Sequence, residues 1–379
     1  MADVRIGLIG AGFMGRAHGI AFREVGGVFD LPVNAVRELI ADIDDKSARL
    51  AARRLGFRRS TGDWRALVDD PDVDIVDITA PTAQHREMAI AALAAGKHVY
   101  CEKPLALTAR EARDLAARAA KAGAITMVGF NYLKNPIQIL AREIIDSGEI
   151  GTVSGFRGIH AEDYMNDPDA PFSWRCSGPP GSGVVADLGS HITSLARYLV
   201  GPIEAVCGTL ETRVKQRPVA PGARQRKRVQ ADDVARFLLR FARGYGGTIE
   251  ASWVATGRKM QLAYEITGTK GSLAFTQERM NELKLYTVGQ KPGREGYKTI
   301  LTDANHPPYG AFCPAPGHQL GFNDMKVIEV RDLLLAVAGK GKAWPDFREA
   351  WEVQRVIEAV TRSNARGRWV KVEEVDRGR

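Results

Sequence analysis

Hydrophobic and polar positions change rhythm once along this chain, close to residue 129. Before that point, short apolar runs alternate with amphipathic stretches. The runs at 4–10, 36–42, 73–79, 97–101 and 125–130 read as buried strands, and the stretches at 13–25, 45–56, 83–96 and 109–123 read as helices. Gly56 and Gly96 close two of these helices, and Thr108 with Glu111 forms a capping box that opens the fourth. Strands and helices in alternation with short loops predict a parallel sheet covered by helices on both faces.

After residue 129 the pattern predicts a helix at 136–148, with Pro136 in its first turn, and another at 187–201. Long strands then follow one another at 203–212, 232–241, 245–254, 262–268, 271–276 and 282–288. Hairpin connections at 241–247 and 267–272 join some of them. Strands in succession predict a large, mostly antiparallel sheet. Helices at 324–339 and 347–367 and a short strand at 368–372 complete the pattern. The fold class expected is α/β: a dinucleotide-binding domain at 1–128, then a substrate-binding and oligomerisation domain at 129–379. A chain of 379 residues suits two domains, because single cores stop growing near 250–300 residues.

Composition narrows the class. The chain opens "MADVRIGLIG", directly on a strand pattern, so no leader peptide is expected. No apolar run approaches the roughly 20 residues of a membrane helix. Cys101, Cys176, Cys207 and Cys313 lack paired spacing and read as reduced thiols, which points to the cytoplasm and to no metal site. The net charge is +8, but the segment 213–228 carries seven basic residues and no acidic one, so the remainder is 8 − 7 = +1. One basic loop is a solvated or partner-contacting segment, expected to be mobile; no nucleic-acid partner is expected from it.

"LIGAGFMGRAHG" places Gly10, Gly12 and Gly15 as G-x-G-x-x-G between the first strand and the first helix, with Phe13 and Met14 inside the loop. In that context Gly10 permits the turn, Gly12 admits a pyrophosphate, and Gly15 lets helix and strand approach. The helix N-terminus offers N–H groups to the anion. Asp42 ends the second strand, where a carboxylate accepts bonds from ribose hydroxyls and repels a 2′-phosphate. NAD is therefore expected over NADP.

Two stretches remain ambiguous by themselves. "GKHVYCEKPLALT" ends a strand on Glu102, Lys103 and Pro104: either a surface ion pair before a turn, or a lysine aimed stiffly by its proline. In the stretch 178–201, Leu188, Ile192, Leu195 and Leu199 form an apolar helix face. At about 100° per residue, Asp187 and His191 then lie about 40° apart on another face. They read either as a helix-capping aspartate with an incidental histidine, or as a carboxylate and an imidazole sharing a partner.

Taken together, "GLIGAGFMGRAH", "DIVDITAPTAQH", "GKHVYCEKPLALT", "GFNY" and "ADLGSHITSLARYLVG" resemble the glucose–fructose oxidoreductase / inositol dehydrogenase (Gfo/Idh/MocA) family. The resemblance implies an active site at a domain cleft with Lys103, Asp187 and His191 as catalytic groups. There Lys103 takes part in proton transfer and His191 is the acid/base on the reacting hydroxyl. It implies cofactor contacts from Thr79, Pro81 and His85 in "TAPTAQH", from Glu102, and from Asn131 in "GFNY". Thr82 stands where the family often has Asn, and Ser194 where it often has a further Asp. The stretches around 154–176 and 306–329 resemble members acting on pyranoside sugars, including anhydrosugar dehydrogenases. They add His160, Asp163, Tyr164, Trp174, Arg175 and His318 as substrate-pocket candidates, beside Tyr132 of "GFNY". The implied activity is NAD-dependent hydride transfer from a secondary hydroxyl of a sugar, sugar derivative or cyclitol, in a homodimer or homotetramer assembled through the C-terminal sheet. An NAD-dependent glycosidase and a non-catalytic NAD-binding regulator are the alternatives.

Overall fold

Six parallel strands follow the apolar runs of the first 130 residues, with one addition. The computed structural model describes residues 1–178 and 181–377; Pro179 and Pro180, in the 178–201 stretch, lie outside the described residues. The strands lie side by side as Arg59–Thr61, Val33–Ala41, Ala2–Ile9, Ile75–Ile78, His98–Cys101 and Thr126–Val128. Arg59–Thr61 and the helix Trp64–Val68 were not predicted, because three polar edge residues carry no periodicity. Chain order reverses at Ala2–Ile9, so the crevice that binds ligands in such sheets opens at its carboxyl end. The local signals act as expected: Gly56 caps its helix at φ 72°, and both bonds of the Thr108–Glu111 capping box form.

The first unit comprises Met1–Lys134 together with Ala311–Cys313 and Leu320–Glu352. The segment 320–352 therefore packs with the first unit, whereas the sequence pattern groups it with the second domain. Its helix Phe322–Val337 buries Val327, Val330, Leu333 and Leu334 against Val4, Ile6, Phe22, Val25, Ile75, Tyr100 and Met127. Each such side chain contributes about 1.5–3 kcal/mol on burial. Parallel strands are apolar on both faces and need cover on both; here part of that cover comes from 200 to 330 residues away in sequence.

The second unit comprises Asn135–Gly310, Pro314–Gln319 and the chain from Val353 onward. Nine strands form its sheet, in the order Lys298–Leu301, Glu282–Thr287, Gly271–Thr276, Gln261–Gly268, Val153–Ala161, Gly246–Ser252, Val234–Phe241, Ile203–Glu211 and Val370–Lys371. Val153–Ala161 pairs parallel with Gly246–Ser252; the other pairs are antiparallel. This middle strand was not recognised in the sequence, because Gly155 and Gly158 blur its alternation. Gly158 has a packing reason: a Cβ there would sit 2.7 Å from Ile192 Cγ1. The bare backbone lets the helix of Ile192 lie directly on the strand.

Two expectations are corrected. The helix expected at 187–201 is divided into Val184–Asp187 and Gly189–Leu199, and His191 N–H bonds to Leu188 O at 3.1 Å, three residues back. The 100° projection therefore does not carry across Leu188. The basic segment is not a free loop: Gln216–Pro218 and Arg226–Arg228 pair as an antiparallel hairpin, and Arg217 is fully buried.

Candidate active site

The predicted cofactor residues of the first unit stand at or beside the carboxyl edge of its sheet. Gly10 follows Ala2–Ile9 at φ 93°, and Thr79 follows Ile75–Ile78. Thr79 Oγ1 donates to Ile9 O at 3.0 Å and Gly10 O at 2.8 Å, locking the turn. A Cβ on Gly15 would lie 2.0 Å from Gly10 O, so only glycine fits there. At Gly12 an added Cβ meets nothing within 4 Å, which leaves room for a pyrophosphate. Gly12 is also the N-cap of Phe13–Val28 and offers no side-chain cap, leaving first-turn N–H groups for an anion. Phe13 is 66% exposed and stacks on Phe322 at 5.8 Å, Tyr132 lies 6.4 Å from the same ring, and Met14 is in the first helical turn. Asp42 follows Val33–Ala41 and accepts Ile43 N–H at 2.8 Å. Asn131 is buried, and its Nδ2 has no acceptor among the described residues. An orphaned donor, an open glycine and an uncapped helix start fit a dinucleotide.

His85 and Glu102 are both tied into hydrogen bonds within the first unit. His85 is buried with Nδ1 2.9 Å from Pro104 O and Nε2 2.7 Å from Ala80 O. Burial lowers its pKa against the pull of those carbonyls. It ties the turn after Ile75–Ile78, whose Pro81 starts the helix Thr82–Ala94, to the Lys103–Pro104 corner.

Glu102 is the hub of a buried charge cluster that the sequence did not announce. His18 Nε2 lies 2.9 Å from Glu102 Oε1, and His18 Nδ1 lies 2.9 Å from both oxygens of Asp77. Lys326 Nζ donates to Glu102 and to Glu329 at 2.8 Å each, and Tyr100 OH donates to Glu329. His18 stacks on Tyr100 with centroids 4.5 Å apart. A carboxylate at each ring nitrogen favours the imidazolium form of His18: burial opposes the charge most strongly, but Asp77 and Glu102 together outweigh it, and its pKa is raised. Burial also works against the Glu102 carboxylate, but Lys326 and His18 hold it well below the usual range. Gly129 is glycine because a Cβ there would meet Glu102 Oε1 at 2.4 Å. Lys103 follows directly, and its own N–H donates to Glu102 Oε2 at 3.1 Å.

In the second unit, Asp187 Oδ2 accepts from Tyr164 OH at 2.9 Å and from Arg175 Nε at 3.0 Å. Arg175 also lies 4.5 Å over the ring of Trp174, and Tyr164 and Trp174 are 44% and 42% exposed. Burial opposes the Arg175 charge most strongly, but Asp187 and Tyr164 together outweigh it, so its pKa is raised. His191 is buried with its ring centroid 5.6 Å from that of His160. His160 and Gly158 share one face of the middle strand, and it is the bare Gly158 that lets the helix of His191 approach. Ser194 is buried and donates to His191 O at 2.7 Å, so it braces this helix.

Three pocket candidates have other partners. His160 Nδ1 sits 3.0 Å from Leu188 O and Nε2 3.0 Å from Glu162 Oε1. Asp163 holds Lys259 Nζ at 2.7 Å and Gly257 N–H at 3.0 Å, and the Lys259 bond keeps its pKa below the ordinary carboxylate value. His318 is exposed with Nδ1 3.3 Å from Pro316 O, and its carbonyl accepts from Tyr309 OH. The sequence also missed Asp232, which accepts Val185 N–H at 2.8 Å in the short helix that ends on Asp187.

A family model described as "Oxidoreductase family, NAD-binding Rossmann fold" matches residues 4–130, and one described as "GFO/IDH/MocA C-terminal domain" matches residues 139–274. Levoglucosan dehydrogenase of Pseudarthrobacter phenanthrenivorans is 37% identical over 388 aligned positions, covering 99% of this chain and 100% of that protein. The scyllo-inositol 2-dehydrogenase (NAD(+)) of Bacillus subtilis is 32% identical over 230 positions, covering 60% and 62%. Among solved structures, a levoglucosan dehydrogenase in complex with NADH and L-sorbose matches with a TM-score of 0.95 and 39% identity, covering 98% of this chain and 99% of that one.

Proposed function

Because this chain belongs to the Gfo/Idh/MocA oxidoreductase family, we propose that it oxidises a secondary hydroxyl of a pyranose-type sugar, with an anhydrosugar such as levoglucosan as first candidate. It is an NAD-dependent oxidoreductase with sugar and cyclitol dehydrogenases among its relatives. When bound, NAD supplies the hydride acceptor. Gly10, Gly12, Phe13, Met14 and Gly15 cradle its phosphates, Asp42 accepts its adenosine ribose hydroxyls, and Asn131 directs its buried amide toward the cofactor.

His191 takes the hydroxyl proton and Lys103 assists proton transfer. Asp187, bonded to Tyr164 and Arg175, orders the sugar hydroxyls, while Trp174 offers its exposed face to the ring. The observation that carries the anhydrosugar reading is likeness across the whole chain, at 39% identity, to a levoglucosan dehydrogenase. The protein works in the cytoplasm as a homodimer or homotetramer joined through the outer face of the nine-stranded sheet, where Leu238 and Trp369 are exposed.

The test is a panel of anhydrosugars, pyranoses, cyclitols and glycosides with NAD, followed at the NADH absorbance. Stoichiometric NADH with a levoglucosan-type substrate is expected. Cleavage of a glycoside without net NADH would make it an NAD-dependent glycosidase instead, and cofactor binding without turnover of any substrate would make it a regulator.

A further inference from the structure

The basic hairpin is occupied along its length by one neighbour, the loop that follows the middle strand. Arg217, with no exposed surface, donates to Asp167 O at 2.7 Å and to Met165 O. Arg226 donates to Asp169 Oδ1 at 2.8 Å and to Pro168 O at 2.6 Å. Phe172 N–H bonds to Pro218 O at 2.8 Å, and Lys227 Nζ lies 4.4 Å from the Phe172 ring centroid. Beyond the hairpin, Gln230 N–H bonds to Cys176 O at 3.0 Å. These hairpin contacts fall between Met165 and Phe172, and that loop is flanked by Tyr164 and runs on to Trp174 and Arg175.

Desolvating a guanidinium is costly unless its donors are met in good geometry. Arg217 meets two backbone carbonyls, and its Nε has no acceptor among the described residues. Carbonyls two residues apart, gripped by one rigid planar fork, cannot shift independently. We propose that Arg217 is a positioning residue: it holds the 163–176 loop so that Tyr164 and Arg175 reach Asp187 and Trp174 faces the substrate. This makes the hairpin a determinant of sugar affinity and not a solvated charge run. The role in affinity rests on the functional reading above; the clamp itself does not.

Hydrogen exchange of the 163–176 amides and steady-state kinetics together test it, on Arg217→Ala, Arg217→Lys, the double variant Arg226→Ala/Lys227→Ala, and Arg224→Ala at the exposed hairpin tip as control. Arg217→Ala should speed loop exchange at least about tenfold. It should raise the sugar KM about tenfold or more, with kcat and the NAD KM each within about threefold of wild type. Arg217→Lys should restore part of both effects, the double variant should show both more weakly, and Arg224→Ala should show neither. If Arg217→Ala does not fold, the double variant carries the test. Unchanged loop exchange in folded protein overturns the clamp. Faster exchange with an unchanged sugar KM overturns the role in affinity, whereas a wild-type protein that oxidises no sugar overturns the functional reading alone.

Discussion

Lys326 Nζ reaches Glu102 Oε1 at 2.8 Å inside the first unit, so a helix from residue 322 onward holds the carboxylate next to Lys103. Its other bond runs to Glu329, also at 2.8 Å, and all three side chains are buried. Lys326→Met would leave three buried carboxylates, Asp77, Glu102 and Glu329, with His18 as their one cationic partner in the cluster. Breaking a buried pair in this way costs about 3–5 kcal/mol. Urea unfolding should register that loss, and adding Glu329→Gln should recover at least about 1 kcal/mol by removing one stranded charge. A loss below about 1 kcal/mol for the single variant would mean the cluster is not held by this lysine.

Gly12 and Gly15 should part company under the same substitution. Gly12→Ala meets no protein atom within 4 Å, so folding should be unaffected while the methyl group obstructs the pyrophosphate. NAD affinity should fall about tenfold or more with an unchanged melting temperature. Gly15→Ala drives a methyl to 2.0 Å from Gly10 O and should lower the melting temperature itself. Calorimetry with and without NAD reads both; equal losses of stability would show that Gly12 is structural.

Cofactor preference follows from Asp42. A 2′-phosphate near its carboxylate costs about 1–4 kcal/mol at contact distance. NAD should therefore exceed NADP by about tenfold or more in kcat/KM, and Asp42→Ala should narrow the gap. Equal use of the two by the wild-type protein contradicts this.

Lys103→Met and His191→Asn address the chemical step. Each should lower kcat by about 10²–10⁴, the usual share of general acid–base catalysis. NAD affinity should stay near wild type in both, because the phosphate and adenosine contacts lie elsewhere. Folded Lys103→Met protein with normal single-turnover hydride transfer would return the lysine to a surface role.

Stability should also depend on Asp232. Burial pushes its carboxyl up to about 6 from an ordinary 3.8. A raised carboxyl pKa favours the folded state while the group is protonated. That stability is fully present below about pH 3.8 and is lost as pH rises to about 6, a span of roughly 3 kcal/mol at 1.36 kcal/mol per pH unit. Asp232→Asn should remove this slope and leave the protein relatively more stable at pH 7, because an amide oxygen can still accept Val185 N–H. Parallel unfolding curves for the two proteins between pH 4 and pH 6 would refute the assignment.

Much of the first unit was legible because its signals are local. Thr108 with Glu111, Gly56 at a helix end, and G-x-G-x-x-G between strand and helix each act within a few residues, through backbone geometry that residue type dictates. The same holds for Asp42, placed by the end of its strand.

What the tertiary structure alone decided lies at long sequence separation. The sequence could not say that Lys326 closes a charge cluster with His18, Asp77 and Glu102, because a lysine on an amphipathic helix reads as solvated until its neighbours are known. It hid the middle strand, because Gly155 and Gly158 break its alternation for the sake of helix packing. It misread Arg217 as one charge in a mobile loop, since the carbonyls that bury it come from residues 165 and 167, about 50 positions away. Local periodicity reports which face of an element is apolar; only packing assigns a buried charge its partners, because the cost of desolvating it is met by groups the chain brings in from elsewhere.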